Sequence, residues 1–391
     1  MLNIDYVYNK SHFDEVMSVL SGTPISDKEL GVTIVDNGTI LPSCKSPVMQ
    51  QVWGLGGVVD SEGKFVQAST SGAYEIKIFG GYYDYDTATV ADIDDEVLFL
   101  GPVTSHWGSF LVDQLSRLWY VVQNGYQGKI AYCGVNFPEG TFGGIDKPVR
   151  QLLELLGISS DRLIDIRKPS KFSRVIIPDL SFAQGQFITK EYKDIYQTIA
   201  DNVNDIDLPV YEKLYLTRTA IKKRKEVGEE KIEKLFASNG FKVLSMEKLS
   251  VAEQAHCMKH CSVVVSIDGT VAHNILFSKK CTKQIVLEKQ SRINPYQHLF
   301  NELMDVPLEY IDVYSEPYKG YPLNHDDGPF LVYVSEKLKQ YVADNNMKMV
   351  SESFILKLKN RIKYTWMCFV IGVLKPSLGP LYRRLKKLIK R

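Results

Sequence analysis

Cations that directly follow a short apolar strand can hold phosphate, and this chain has such a pattern at KLYLTRTAIKKRK, residues 213–225. Leu214, Tyr215 and Leu216 read as a buried strand running into Arg218, Lys222, Lys223, Arg224 and Lys225. Parallel α/β sheets bind ligands beyond the carboxyl ends of their strands. A guanidinium there can bridge two phosphate oxygens in a planar fork, and Lys223 or Arg224 would add charge from the loop. A second corner lies at CSVVVSIDGTVAHNILF, where a Val-rich strand is followed by Asp268, Gly269 and Thr270 and a helix start through Asn274. Gly269 would let the backbone approach an anion, with the amides of Thr270 and Val271 at a helix N-terminus. Both corners fall within residues 213–277, and together they point to a nucleotide diphosphate.

Four further groups invite chemistry. His106, in the loop after the apolar strand EVLFL, is placed to act as a general base or to hold a phosphate or sugar hydroxyl. Its alternative is a helix-capping or buried, hydrogen-bonded histidine. Asp113 lies two turns further on, and Arg117 one turn beyond it. That spacing fits either a catalytic carboxylate or an i,i+4 ion pair. His256 and His260 in HCMKHC have the spacing of two zinc ligands on one helix face, but no second ligand cluster stands at zinc-site spacing. Asp84 and Asp86 form the Asp-x-Asp pattern that holds a divalent ion on nucleotide sugars, here without a convincing buried strand before it. No metal site is expected.

These residues need a scaffold, and the pattern supplies one. Strands are predicted at Glu96–Leu100, Lys129–Tyr132, Arg162–Ile166, Arg174–Ile177, Leu214–Leu216, Phe241–Leu244, Ser262–Ile267, Gln284–Leu287 and Glu309–Val313. Helical segments alternate with them, as expected of parallel α/β sheets. Gly56–Val66 reads as a hairpin turning at Ser61-Glu62-Gly63. Ser250 with Glu253 three residues on has the spacing of a capping box. The economical architecture is α/β and GT-B-like: two Rossmann-like domains facing a cleft. Residues 1–186 form the acceptor-side domain, and 187–345 the nucleotide-sugar-binding domain, with 187–209 as connector. Residues 346–391 form a basic amphipathic tail.

Composition is that of an ordinary globular protein, 45% hydrophobic and 24% charged. Residues 353–391 carry eleven Lys or Arg and no acid, which leaves the first 352 residues at −10 within a whole-chain net charge of +1. Trp366, Phe369, Val370, Ile371 and Leu374 interleave with these cations, which suits the anionic face of a bilayer better than nucleic acid. The most apolar run, Thr365–Leu374, is too short to span a membrane. The six cysteines lack framework spacing and read as reduced thiols. With no secretory signal in the opening residues, the expected location is cytoplasmic, peripheral on the inner face of the cell membrane.

The stretch from KLYLTRT to HNILF, with GGVVDSEGKF and HWGSFLVDQLSRL upstream, resembles glycosyltransferase family 61, the DUF563 group, over roughly residues 55–315. The resemblance implies a GT-B fold, inversion at the anomeric carbon, no obligatory metal or other cofactor, and a nucleotide-sugar donor, probed first as UDP-linked. It implies a glycan or lipid-linked glycan acceptor, and bacterial relatives serve capsular or exopolysaccharide assembly. Donor contacts would fall on Arg218, Lys223, Arg224, Asp268, Gly269, Thr270 and Asn274, and proton removal on His106 or Asp113. Gly228 and Asp268 depart from the Asn and His usual at those positions. Competing readings are another polysaccharide-modifying transferase, such as a pyruvyl transferase, and a non-catalytic nucleotide-sugar-binding scaffold at the membrane.

Overall fold

The computed structural model describes the chain apart from residues 1, 12, 15–24, 49–52, 73–77, 137–142, 185, 205, 222–224, 292, 316–327, 352, 375–378 and 380–391. Lys223 and Arg224 therefore lie outside the described residues, as does the last basic cluster of the tail.

Two sheets organise the rest. One is six-stranded and parallel throughout, in the order Leu2–Tyr6, Leu308–Asp312, Lys283–Glu288, Val263–Ile267, Lys213–Leu216, Lys242–Leu244. Its central strands are near-continuous apolar runs because helices cover both faces. Leu214, Leu216 and Val264 point to one face and Tyr215, Val265 and Ile267 to the other, the period of two that a strand imposes. The strand Leu2–Tyr6 comes from the segment assigned by sequence to the other domain, and it pairs at Leu2 with Leu308.

The other sheet is seven-stranded and mixed, which corrects the expectation of a parallel sheet in this half. Ser170–Pro178, Ala91–Val103, Lys129–Gly134 and Leu163–Asp165 run parallel. Val32–Asp36 and Thr39–Cys44 run antiparallel to Ser170–Pro178, and Leu55–Val59 antiparallel to Thr39–Cys44. Asn37, with φ +53°, interrupts the first two strands, and its N–H still reaches the Ser173 carbonyl at 2.9 Å. One left-handed residue thus keeps both segments on the same partner, a bulge that Asn tolerates better than most side chains. The hairpin at Leu55–Val59 turns as predicted, with Asp60 N–H on the Lys64 carbonyl.

Helices fill the space between the sheets. Lys147–Leu155, Lys190–Asp201, Val251–His260 and Pro295–Met304 contribute to one hydrophobic cluster that takes Leu98 and Leu100 from the seven-stranded sheet and Leu214, Leu216 and Val264 from the six-stranded one. The capping box at Ser250 and Glu253 is present in both directions. All six cysteines are free thiols. The tail folds as a helix, Phe354–Phe369, and packs Tyr364 and Cys368 onto Val227 and Leu331.

Candidate functional site

Arg218 sits where the sequence puts it, one residue past the loop entry from Lys213–Leu216. The loop is pinned from the helix Glu229–Ala237. Glu229 Oε1 accepts from the Arg218 backbone N–H at 2.9 Å, and Glu233 Oε2 accepts from the hydroxyls of Thr217 and Thr219 at 2.7 and 2.8 Å. Glu229 is fully buried at the amino end of its helix, where the dipole favours a carboxylate. Gly228, φ +102°, is the N-cap of that helix.

The guanidinium of Arg218 pairs with Glu226 at 3.1 Å. A second cation meets the same carboxylate: Lys289 Nζ lies 3.4 Å from Glu226 Oε1 and 2.8 Å from the carbonyl oxygen of Asp268. Burial alone would raise the Glu226 carboxyl, and Lys289 and then Arg218 hold it below the usual range instead. Gly269 stands between the two cations. A Cβ there would lie 3.6 Å from Lys289 Nζ and 3.7 Å from an Arg218 amino nitrogen, and its φ of +141° is one that L side chains avoid. The first hydrogen bond of the following 3₁₀ helix runs from Ala272 N–H to the Gly269 carbonyl, so the amides of Thr270 and Val271 precede it. Two cations, two helix-end amides and a glycine at the carboxyl edge of a parallel sheet make a corner with the chemistry to hold an anion.

The second corner therefore joins the first, with changes of detail. The carboxyl of Asp268 is buried and pushed up, chiefly by desolvation, and what Asp268 offers the corner is its carbonyl. Asn274 is also buried, with its Oδ1 lacking a hydrogen-bond partner among the described residues, so it sits inside the protein rather than on the corner's surface. Lys289, Glu226, Glu229 and Glu233 were missed. Lys289 carried a signal, since it directly follows the strand Lys283–Glu288 as Arg218 nearly follows its own.

The other wall comes from the seven-stranded sheet. Its longest strand, Ala91–Val103, ends at the loop holding His106, Trp107 and Gly108. A Cβ on Gly108 would lie 2.7 Å from the Thr270 hydroxyl, so this loop touches the anion corner. The helix expected after Trp107 is broken. One turn is followed by a π-helical stretch, Phe110–Gln114, whose Leu111 and Val112 carbonyls take the hydroxyls of Tyr196 and Tyr192. π-turns of this kind concentrate at functional sites because they re-aim side chains.

His106 caps this segment: its Nδ1 accepts the Ser109 backbone N–H at 3.2 Å. The neutral ring then carries its proton on Nε2, the state of a hydrogen-bond donor. Serving as base would require giving up the cap, so of the two readings the geometry favours holding an oxygen. Asp113 and Arg117 do not pair, which corrects the helix-pair alternative. Asp113 accepts from the Gln184 side-chain amide. Arg117 is fully buried and donates to the carbonyls of Ala68, Thr70 and Pro178 and to the Ser71 hydroxyl, a structural role. Asp86 caps the short helix Thr87–Thr89. His256 gives a ring nitrogen to a contact with the Leu208 carbonyl at 3.1 Å, and its ring meets His260 edge-on.

An anion corner built from sheet-edge cations, facing a histidine-bearing loop across a shared boundary, is an arrangement suited to group transfer from a phosphorylated donor. Residues 107–285, which hold the Asp113 turn and the Arg218 and Gly269 corner, match the family model described as Glycosyltransferase 61. The protein is a glycosyltransferase, and the match supports family 61. Among curated proteins no match is found.

Proposed function

We propose that this enzyme moves a sugar, with inversion and without a metal, from a nucleotide-diphosphate donor to a glycan or lipid-linked glycan during polysaccharide assembly, on a GT-B layout. The observation that carries the reading is the convergence of Arg218 and Lys289 on Gly269 beneath the His106 loop. In an inverting transfer the acceptor hydroxyl attacks the anomeric carbon opposite the departing diphosphate, so negative charge builds on the phosphate oxygens. Arg218, Lys289 and the amides of Thr270 and Val271 stabilise that charge, and such preorganised groups account for a large part of rate enhancement. His106 Nε2–H donates to a donor oxygen. The Asp113 carboxylate takes the acceptor proton, and Gln184 orients it.

The tail supports placement at a membrane surface. Ile355, Leu358, Ile362, Trp366, Phe369 and Val373 recur every three or four residues and are all exposed, Ile362 and Trp366 by about 60%. The face carrying Tyr364 and Cys368 is docked on the body. Among the described residues no helix is long and apolar enough to cross a membrane. The stripe with its flanking cations suits an anionic surface that carries a lipid-linked acceptor.

A thermal-shift panel of UDP, GDP, CMP and their sugars, with and without EDTA, tests the donor reading. A ligand at 100 times its dissociation constant stabilises by about 2.7 kcal/mol. The expected result is stabilisation by one nucleotide, unchanged by EDTA and lost in Arg218→Ala. Indifference to every nucleotide would overturn it.

A further inference from the structure

Under the first turns of the tail helix, Phe354–Phe369, lies a cavity of about 190 Å³. The helix supplies Leu356, Lys357, Asn360 and Arg361 to its wall, and the body supplies Lys231 and Leu331. Among the described residues no acid lines it. The cavity is separate from the anion corner. Val227 packs on the tail helix, while Glu226, the residue before it, points the other way to Arg218 and Lys289.

The cations on this wall have no counter-charge. Lys231 is 7% exposed, and its ammonium donates to the Ser351 carbonyl without a carboxylate beside it among the described residues. Buried charges are ordinarily paired. Lys231 also stands in the first turn of the helix Glu229–Ala237, the end whose dipole disfavours a cation. Lys357 and Arg361 lie one turn apart on the tail helix, where like charges repel, and neither pairs with an acid among the described residues. An anion between the three side chains would relieve every one of these costs, and the Asn360 amide adds a donor. A volume below the roughly 300–1,000 Å³ of sites that enclose a drug-sized ligand admits a phosphate group rather than a nucleotide. Lys357 and Arg361 fall two turns before Tyr364 and Cys368, on the docked face, with the exposed stripe of Ile355, Leu358 and Ile362 on the far side. A helix is about 10–12 Å across, and an interfacial one buries its apolar face by about 5–10 Å, which brings its other side to the level of the lipid phosphates. Leu331 and Leu356 give the cavity an apolar flank for the glycerol carbons next to such a phosphate.

We infer that this cavity binds the phosphate of an anionic phospholipid between Lys231, Lys357 and Arg361. The inference rests on the membrane reading of the tail and adds to it a one-to-one headgroup site. Calorimetry with dihexanoyl-phosphatidylglycerol, kept below its micellar concentration, measures that site without a surface. The parent should bind one lipid, and Lys357→Gln with Arg361→Gln should weaken it at least tenfold, as the loss of two charge-assisted hydrogen bonds implies. Lys359→Gln with Lys363→Gln removes the same charge from the same helix outside the cavity and should stay within about twofold of the parent, since exposed charges are screened. Arg218→Ala, at the anion corner, should leave lipid binding unchanged. All of these tail positions are exposed, so the variants keep the fold. Equal effects of the two tail pairs, or no effect of either, would overturn the headgroup site and leave a diffuse basic surface. Inorganic phosphate should bind more weakly than the lipid, and equal affinity would overturn the lipid assignment in favour of free phosphate. Sedimentation with phosphatidylglycerol vesicles separates the two readings. A parent that sediments but binds no soluble lipid loses the headgroup site alone, and one that does neither loses the membrane reading with it.

Discussion

Removing Lys289 separates the two jobs its ammonium performs. In Lys289→Met the buried Glu226 carboxylate loses its partner at 3.4 Å and the Asp268 carbonyl its donor at 2.8 Å. At an effective dielectric of about 20, a pair at that separation attracts by roughly 5 kcal/mol, much of it offset by desolvation of the charges. Breaking a buried pair outright costs about 3–5 kcal/mol. Arg218 remains 3.1 Å from the same carboxylate, so the expected loss is nearer 2 kcal/mol. Urea unfolding should report it as a lower midpoint with an unchanged slope. The pH dependence has a definite sign. The depressed Glu226 carboxyl contributes stability that is present above the unfolded carboxyl pKa of about 4.3 and is lost as pH falls through its lower folded value. The gap between parent and variant should therefore close in acid. The second job is electrostatic: turnover should fall about 10²–10³-fold and pyrophosphate affinity at least tenfold, while Lys289→Arg recovers most of both. A variant that loses stability yet binds pyrophosphate and turns over like the parent would refute the anion corner, leaving Lys289 only as a counter-ion to Glu226.

Two other outcomes follow from the same contacts. Glu288 faces Asp268, Asp312 and Lys289, and its carboxyl is raised, first by burial. The folded state then binds a proton that the unfolded chain releases, so stability falls as pH rises from about 4.3 toward the folded value, by up to about 1.4 kcal/mol per pH unit. Chemical denaturation across pH 4–8 should show that slope flattened in Glu288→Gln, and an identical slope would mean the carboxyl titrates normally. On the tail, Ile362→Glu with Trp366→Glu removes two exposed apolar side chains, each contributing about 1.5–3 kcal/mol when buried in an apolar medium. Co-sedimentation with vesicles one-third anionic by composition should fall about 100-fold with no change in melting temperature. Equal sedimentation of parent and variant would remove the stripe from the membrane contact.

What could be read from the sequence was whatever repeats with the period of a strand or is punctuated by a cap. Lys213–Leu216, Val263–Ile267 and the Ser250 cap were legible because burial on both faces writes a continuous apolar run and a cap has fixed spacing. Arg218, Gly269 and Thr270 were legible as sheet-edge residues for the same reason. The pairing of Lys289 with Glu226 was not, because it joins residues 63 positions apart through a fold whose strand order the sequence does not print. The break in the helix after Trp107 was hidden as well. Its apolar spacing is helical throughout, and only the hydroxyls of Tyr192 and Tyr196, more than 70 residues on, take up the carbonyls a π-turn releases. The burial of Glu288 was invisible because a single acid at a strand end looks solvated in the sequence. The antiparallel strands Val32–Asp36 and Thr39–Cys44 were missed because they are short and carry little periodicity.

The partnership between Leu2–Tyr6 and Leu308–Asp312 also orders how this molecule is made. Asn3 bonds Glu309 across 306 positions, so the first strand of the chain has no place in its sheet until the last one of that sheet exists. The seven-stranded sheet, by contrast, draws all its strands from residues 32–178 and is complete while the other is still missing five of six. On a chain emerging from the ribosome from its amino end, the seven-stranded layer can close first. The anion corner, built from Arg218, Gly269 and Lys289, can form only after that layer's strands have been made. Until then the Leu2–Tyr6 edge is an unpaired strand in search of a partner, the kind of exposure at which nascent chains misassociate.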